Sequence, residues 1–208
     1  MSSGMNHPRP LGRLLVTGAY GFVGRHVDEA IRNGVFGAAE FIPAPKGLDI
    51  RNEAEVLELV NEVRPDSVLH LAAQSFVPRS FEEPRETFDI NVVGTLNLLM
   101  ALKRSAFAGR MVYVSSGDVY GRVPDDALPV TQLTPAAPRS PYAVSKIAAE
   151  QLCLQWHRTE GLEVVIARPF NHVGPGQDAR FVIPSLARQV IAIAQARLDL
   201  CCGAGTGG

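Results

Sequence analysis

Arg13-Leu14-Leu15-Val16-Thr17-Gly18-Ala19-Tyr20-Gly21-Phe22-Val23-Gly24 decides the architecture. Arg13 to Val16 make a short apolar strand, glycines follow at every third position, and Phe22 to Arg32 read as a helix. A strand, a glycine turn and a helix in that order form an anion-binding corner. The helix N-terminus presents unpaired N–H groups and a partial positive charge. Gly18 permits the tight turn, Gly21 lets the backbone approach a pyrophosphate, and Gly24 lets the helix pack closely on the strand. The spacing predicts a dinucleotide site built from Gly18, Tyr20, Gly21, Phe22, Val23 and Gly24. Glycine turns also serve ordinary loops, so the flanking strand and helix carry the inference.

Outward from this corner, strand-like and helix-like segments alternate. Glu40-Phe41-Ile42 is a second strand, ended by Pro43 and Pro45. Asn52 suits a cap for a helix carrying Val56, Leu57, Val60 and Val63, which Pro65 stops. Ser67 to Leu71 is a third strand, and Gln74 to Pro84 reads as a loop before a helix to about Arg104. Arg110 to Val114 is a fourth strand, and the proline-rich stretch Gly121 to Arg139 an ordered loop. Ser140 caps a helix with Pro141 at its first position, ending at Gly161. Leu162 to Ala167 is a fifth strand, and Phe181 to Arg197 a last helix. Alternation of this kind implies an α/β fold, a Rossmann-type doubly wound parallel sheet with helices on both faces. The expected divisions are a loose leader at 1–12, one NAD(P)-binding domain at 13–197 and an irregular tail at 198–208. That tail, Leu198 to Gly208, reads as a flexible terminus or a truncated end.

Composition narrows the partners. Lys plus Arg number 20 against 21 Asp plus Glu in 208 residues, so nothing steers the chain towards nucleic acid or an anionic membrane. No apolar run approaches the roughly 18 residues a membrane helix needs. Cys153, Cys201 and Cys202 lack metal-ligand spacing and suit a reduced compartment, so a cytoplasmic protein without a metal is expected.

The chemistry is expected at Ser116, Tyr142 and Lys146. Ser115-Ser116 directly follows the fourth strand, on the side of an open sheet where ligands gather. Tyr142 and Lys146 are four residues apart, hence on one helix face. An ammonium close to a phenol stabilises the phenolate, so the lysine should bring the phenol's pKa down towards neutrality. Alone, each residue has an ordinary reading: a turn serine, a core aromatic, a solvated lysine. Together, beside a dinucleotide turn, they point to nicotinamide chemistry on a hydroxyl or ketone. No acid follows the second strand, where a carboxylate would repel a 2′-phosphate; Lys46 stands there, and Arg25 lies just past the last glycine. This favours NADP(H) and leaves NAD(H) open. Asp49 and Ile50 are placed to line the adenine, although Asp49 equally suits a helix start.

Thr17-Gly18-x-x-Gly21-Phe22-Val23-Gly24, His70-Leu71-Ala72-Ala73, Asn91-Val92-x-Gly94-Thr95, Ser115-Ser116, Tyr142-x-x-x-Lys146 and Arg168-Pro169-Phe170-Asn171 resemble the extended short-chain dehydrogenase/reductases, the NAD-dependent epimerase/dehydratase family. The resemblance implies a nucleotide-sugar substrate, with Ser116 polarising it, Tyr142 moving the proton and Lys146 holding the ribose. It implies that Leu71, Ala72, Ala73 and Arg168 lie along the cofactor, and Gln74, Asp118, Asn171 and Arg180 along the substrate. Asn91 suits either a family role or an ordinary helix polar position, and His70 and His172 read as structural or peripheral. It also implies a homodimer through helices at about 84–104 and 141–160. Members that remove water carry an acid pair where this chain has Gly117 and Asp118, so reduction of a GDP-linked 4-keto-6-deoxy sugar is expected over dehydration. A 4-epimerase using the same three residues, a 4,6-dehydratase of the same family, or a non-catalytic nucleotide-binding protein are the alternatives. The family continues for roughly a hundred residues that are not in this sequence.

Overall fold

The computed structural model describes residues 10–195. Its strands are β1 (Gly12–Thr17), β2 (Ala39–Pro43), β3 (Ser67–His70), β4 (Arg110–Val114) and β5 (Glu163–Ala167). They form one parallel sheet in the order β2-β1-β3-β4-β5. The chain leaves β1 to one side for β2 and returns to the other side for β3. Strand order therefore reverses between β1 and β3, the place where open α/β sheets bind ligands. Register brings Thr17 opposite His70, His70 opposite Tyr113, and Val114 opposite Ala167.

Side chains alternate across the sheet with the two-residue period of a strand. Leu14 and Val16 face one way and pack with Val27 and Ile31 of α1 (Phe22–Arg32). Leu15, Val68, Met111, Tyr113 and Val164 face the other way, under α2 (Glu53–Val63), α5 (Gly94–Arg104) and α6 (Pro141–Glu160). This is the doubly wound α/β sheet expected: among the described residues α1 packs on one face and α2, α5 and α6 on the other.

Local chemistry sets the helix ends. Asn52 Oδ1 accepts from the Ala54 and Glu55 N–H groups, and Glu55 reaches back to Asn52 Nδ2 at 2.6 Å. Such a cap is worth about 1 kcal/mol. Ser140 Oγ accepts from Ala143 N at 3.1 Å, Pro141 occupies the first turn, and Gly161 ends α6 in the left-handed region.

The structure corrects several expected boundaries. β1 begins one residue earlier than expected, at Gly12. The supposed loop Gln74 to Pro84 contains α3 (Val77–Glu82), started by Pro78 in its first turn. The helix expected at 84–104 is α4 (Pro84–Phe88), a π-helical turn (Asp89–Val93) and then α5. The ordered loop before α6 carries a short 3-10 turn at Asp125–Ala127. The residues divide into two compact units between Phe170 and Asn171. Within the second, α7 (Val182–Ala194) corresponds to the last expected helix. The tail at 198–208, with Cys201 and Cys202, lies outside the described residues. Among the described residues no helix is long and apolar enough to cross a membrane, and no cluster of His, Cys, Asp or Glu could hold a metal.

His70 ties the two central strands together. Thr95 Oγ1 donates to the Asn91 carbonyl at 2.6 Å, so in its 3.0 Å contact with His70 it accepts from Nε2–H. Nδ1 then accepts from the Thr17 hydroxyl at 2.6 Å, and Thr17 Oγ1 in turn accepts from Ala72 N at 3.2 Å. The ring is neutral in this arrangement. Burial, helped by the Lys146 charge, brings its pKa down to about 3 from 6.5. The unfolded chain binds a proton below pH 6.5 that the folded chain refuses, so stability is lost as pH falls towards 3. Denaturant titrations at pH 7 and pH 5 should differ by on the order of 2 kcal/mol from this group. His70→Gln should flatten that dependence.

Candidate active site

The glycine corner is built by close approach. Gly18 has φ +70°, and a Cβ there would stand 2.7 Å from Ala72 N and 2.9 Å from the Leu71 carbonyl carbon. The turn at the end of β1 thus lies directly on the backbone leaving β3. A Cβ on Gly21 would meet only the Gly18 carbonyl oxygen, at 3.2 Å, so this backbone is open to a ligand. Gly21 N–H bonds the same oxygen at 3.0 Å, and no side chain caps the first turn of α1. A Cβ on Gly24 would collide with the Ala19 carbonyl at 2.2 Å. Its role is to seat the helix on the glycine turn itself rather than on the strand.

A cleft of about 460 Å³ opens at this corner, bounded by Gly18, Tyr20, Gly21, Asp49, Ile50, Ala72, Ala73 and Gln74. Eight residues expected from sequence therefore meet in one place, and Lys46 also lines the wall, together with the ion pairs Arg51–Asp49 and Arg79–Glu86. Phe22 and Val23 are half-buried in the first turn of α1, Phe22 edge-on to His26. Leu71 N donates to Thr17 O at 3.1 Å, which extends the β1–β3 pairing past the strand. Asp49 does not cap α2: its carboxylate takes both arms of Arg51, which holds it below the usual carboxylate range. Asn97 Nδ2 donates to the Ile50 and Arg51 carbonyls and fixes this loop, a role nothing in the sequence marked. Gln74 turns its amide onto Phe76 and Thr87, so its side chain shapes the loop it sits on.

Ser116, Tyr142 and Lys146 come together where β4 ends against α6. Ser116 caps the 3-10 turn Gly117–Tyr120, accepting from Asp118 N at 3.2 Å, and its hydroxyl lies near enough to Tyr142 to pull the phenol's pKa down. Lys146 is buried, with Nζ donating to Val114 O at 2.9 Å and lying 5.9 Å from the Tyr142 ring centre. The expectation of a lowered phenol is overturned. Burial raises the Tyr142 pKa, the Ser116 hydroxyl opposes this, and the Asp118 charge adds to it. Burial likewise brings Lys146 down to about 8, against the pull of Cys153 and Glu150. Within this protein the phenol is protonated at neutral pH, the state a proton donor needs.

Asn91 has a definite function. Its position in the π-helical turn lets Oδ1 accept from Gln74 N at 2.8 Å while Nδ2 donates to Gln74 O and to Ser145 Oγ. Ser145 Oγ donates to the Tyr142 carbonyl at 2.7 Å, so one buried amide links the cleft loop to the helix carrying Tyr142. Arg168 is turned towards Glu150 and Tyr120, and Asp118 is exposed beside the serine turn. Asn171 and Arg180 belong to the second unit, where Asn171 is exposed and Arg180 pairs with Asp178 at 3.3 Å.

The chain matches the family described as GDP-mannose 4,6 dehydratase over residues 46–206. It is 50% identical over 183 residues to GDP-6-deoxy-D-mannose reductase of Pseudomonas aeruginosa, covering 88% of this chain and 60% of that protein. Among solved structures it is similar to RMD from Pseudomonas aeruginosa complexed with NADPH, with TM-score 0.83 and 48% identity over 90% of this chain and 63% of that one. It is also similar to the dTDP-glucose 4,6-dehydratase DesIV of Streptomyces venezuelae, solved with NAD, with TM-score 0.77 and 29% identity over 86% and 62%. The chain thus spans about 60% of the length of the curated relatives it matches. With the glycine corner, the serine turn and the Tyr142–Lys146 face in one unit, the chain belongs to the NAD-dependent epimerase/dehydratase family of extended short-chain dehydrogenase/reductases.

Proposed function

We propose that this chain carries the cofactor half and the proton-transfer residues of an NADPH-dependent reductase of a nucleotide-linked 4-keto-6-deoxy sugar. The substrate we assign is GDP-4-dehydro-6-deoxy-D-mannose, and the product GDP-D-rhamnose. One observation carries the choice of reduction over dehydration. A Cβ at Gly117 would stand 2.8 Å from the Phe170 ring, so an acid in the place beside Ser116 would have to displace that ring, and glycine itself has no group to donate a proton. Ketone reduction needs one proton, and the protonated, buried Tyr142 supplies it. The likeness to the Pseudomonas aeruginosa reductase supports the same reading.

The residues present fit a dinucleotide. The open backbone at Gly21, the uncapped start of α1 and the close Gly18–Ala72 approach leave the pyrophosphate a bed of N–H donors. Lys46 on the cleft wall and Arg25 beyond the glycines favour the 2′-phosphate of NADP(H), with NAD(H) the weaker fit. When bound, the nicotinamide supplies the hydride. Ser116 hydrogen-bonds the substrate oxygen as charge grows there, and Tyr142 gives it a proton. Lys146 uses one of its three donors on Val114 O and has the others to hold the ribose. We infer a homodimer through the helices at 84–104 and 141–160, supported by Val93 and Val144, both exposed on them. A cytoplasmic enzyme is supported by the free, buried thiol of Cys153, which suits a reduced compartment.

Three outcomes test this reading. Tyr142→Phe should lower NADPH consumption with the GDP-linked keto-sugar by about 10²–10⁴-fold and leave NADPH binding nearly unchanged; loss of binding in this variant would count against the assignment. In the wild type, kcat/KM should fall as pH rises through about 8, where Lys146 loses its proton, and a profile flat to pH 10 would sink that role. Val144→Asp should convert a dimer into a monomer in sedimentation analysis, and a wild-type monomer would remove the dimer proposal.

A further inference from the structure

Glu150, Arg168 and Tyr120 form a buried network beside the reacting groups. Glu150 is fully buried on α6, two helical turns beyond Tyr142 and one beyond Lys146, so the three share a face. Arg168 follows β5 and grips that carboxylate: Nε lies 2.9 and 3.1 Å from its two oxygens, and Nη2 2.5 Å from Oε2. Nη1 donates to the Tyr120 hydroxyl at 3.1 Å, with the guanidinium carbon 5.0 Å from the ring centre. Tyr120 in turn stacks on Phe170 at 6.2 Å. An apolar trio of the same volume would hold these elements together at least as well. What the ion pair adds is geometry, because a planar guanidinium takes a carboxylate two-handed in a fixed orientation.

The backbone around Arg168 holds the serine turn. Ala167 O accepts from Ser115 N at 2.7 Å, and Pro169 O accepts from Gly117 N at 2.8 Å. The residues on either side of Ser116 therefore hang from the carbonyls on either side of Arg168. Tyr120, at the far end of the same turn, is tied to the Arg168 side chain. A nearly closed loop results: Ser116, the end of β5, Arg168, Glu150, α6 and Tyr142, whose hydroxyl comes back beside that of Ser116.

We propose that Glu150, Arg168 and Tyr120 are positioning residues, which set the spacing between Ser116 and Tyr142 by tying the serine turn to α6 through a planar ion pair. For its effect on turnover this rests on the reductase reading above, whereas the geometry can be followed without turnover.

The test labels the four tyrosines with ¹³C at Cζ in the 208-residue chain. Tyr142→Phe identifies the Tyr142 resonance, and Ser116→Ala gives its position once the neighbouring hydroxyl is gone. Glu150→Gln should move the Tyr142 resonance towards that second position while exposed Tyr20 stays in place. Tyr120→Phe, which removes one hydroxyl and no charge, should move it the same way by less. With keto-sugar, both variants should lower kcat by roughly 10- to 100-fold, with NADPH affinity kept within a factor of about three, as expected for misplaced groups. A Tyr142 resonance unmoved in both folded variants overturns the proposal. If Glu150→Gln unfolds, an unmoved Tyr142 in Tyr120→Phe overturns it equally. Should the wild type neither bind NADPH nor turn over the keto-sugar while Tyr142 shifts as expected, the reductase reading fails and the positioning network stands.

Discussion

Everything in this site depends on how closely β1 and β3 exit the sheet beside one another. Gly18 lies so near the backbone at Leu71 and Ala72 that no side chain fits between them. The approach is held by polar groups: Thr17 bonds both His70 and Ala72, and Thr17 O takes the Leu71 N–H. The Thr17 hydroxyl and both ring nitrogens of His70 are paired, His70 Nε2 with Thr95, which is what lets them sit at the centre of an apolar sheet. The phosphate bed, the cleft and the neutral His70 all follow from that contact.

The second organising element is α6. Its face presents Tyr142, Lys146 and Glu150 at successive turns, and three different elements reach it: Val114 of β4 through Lys146, Asn91 through Ser145, and Arg168 after β5 through Glu150. Rigid helices place catalytic groups better than loops do. Here the serine, which is on a loop, is fastened on both sides to the end of β5. Function then rests on two units of secondary structure held in register by a handful of buried polar contacts.

Burial rather than neighbouring charge governs the proton-carrying groups. Tyr142 and Lys146 both shift in the direction that favours the neutral form, because desolvation penalises each charge. A buried lysine at 5.9 Å from the ring centre does not outweigh the loss of water around the phenol oxygen. At pH 7 the phenol is protonated and stands beside a lysine that still holds its proton.

Alternating apolar strands, glycines at every third position, and the caps Asn52 and Ser140 are local signals, so the sheet, its helices and the glycine corner were legible from the chain alone. Helical spacing likewise placed Tyr142 and Lys146 on one face. The π-helical turn at Asn91, the helix within 74–84 and the raised Tyr142 pKa were not legible, because each depends on atoms distant in sequence. Asn91 answers to Gln74 and Ser145, and Arg168 to Glu150 and Tyr120. Sequence determined which groups the site owns; the tertiary structure decided which are solvated, which are paired and how far apart they stand, since desolvation and hydrogen-bond geometry exist only once the chain has closed on itself.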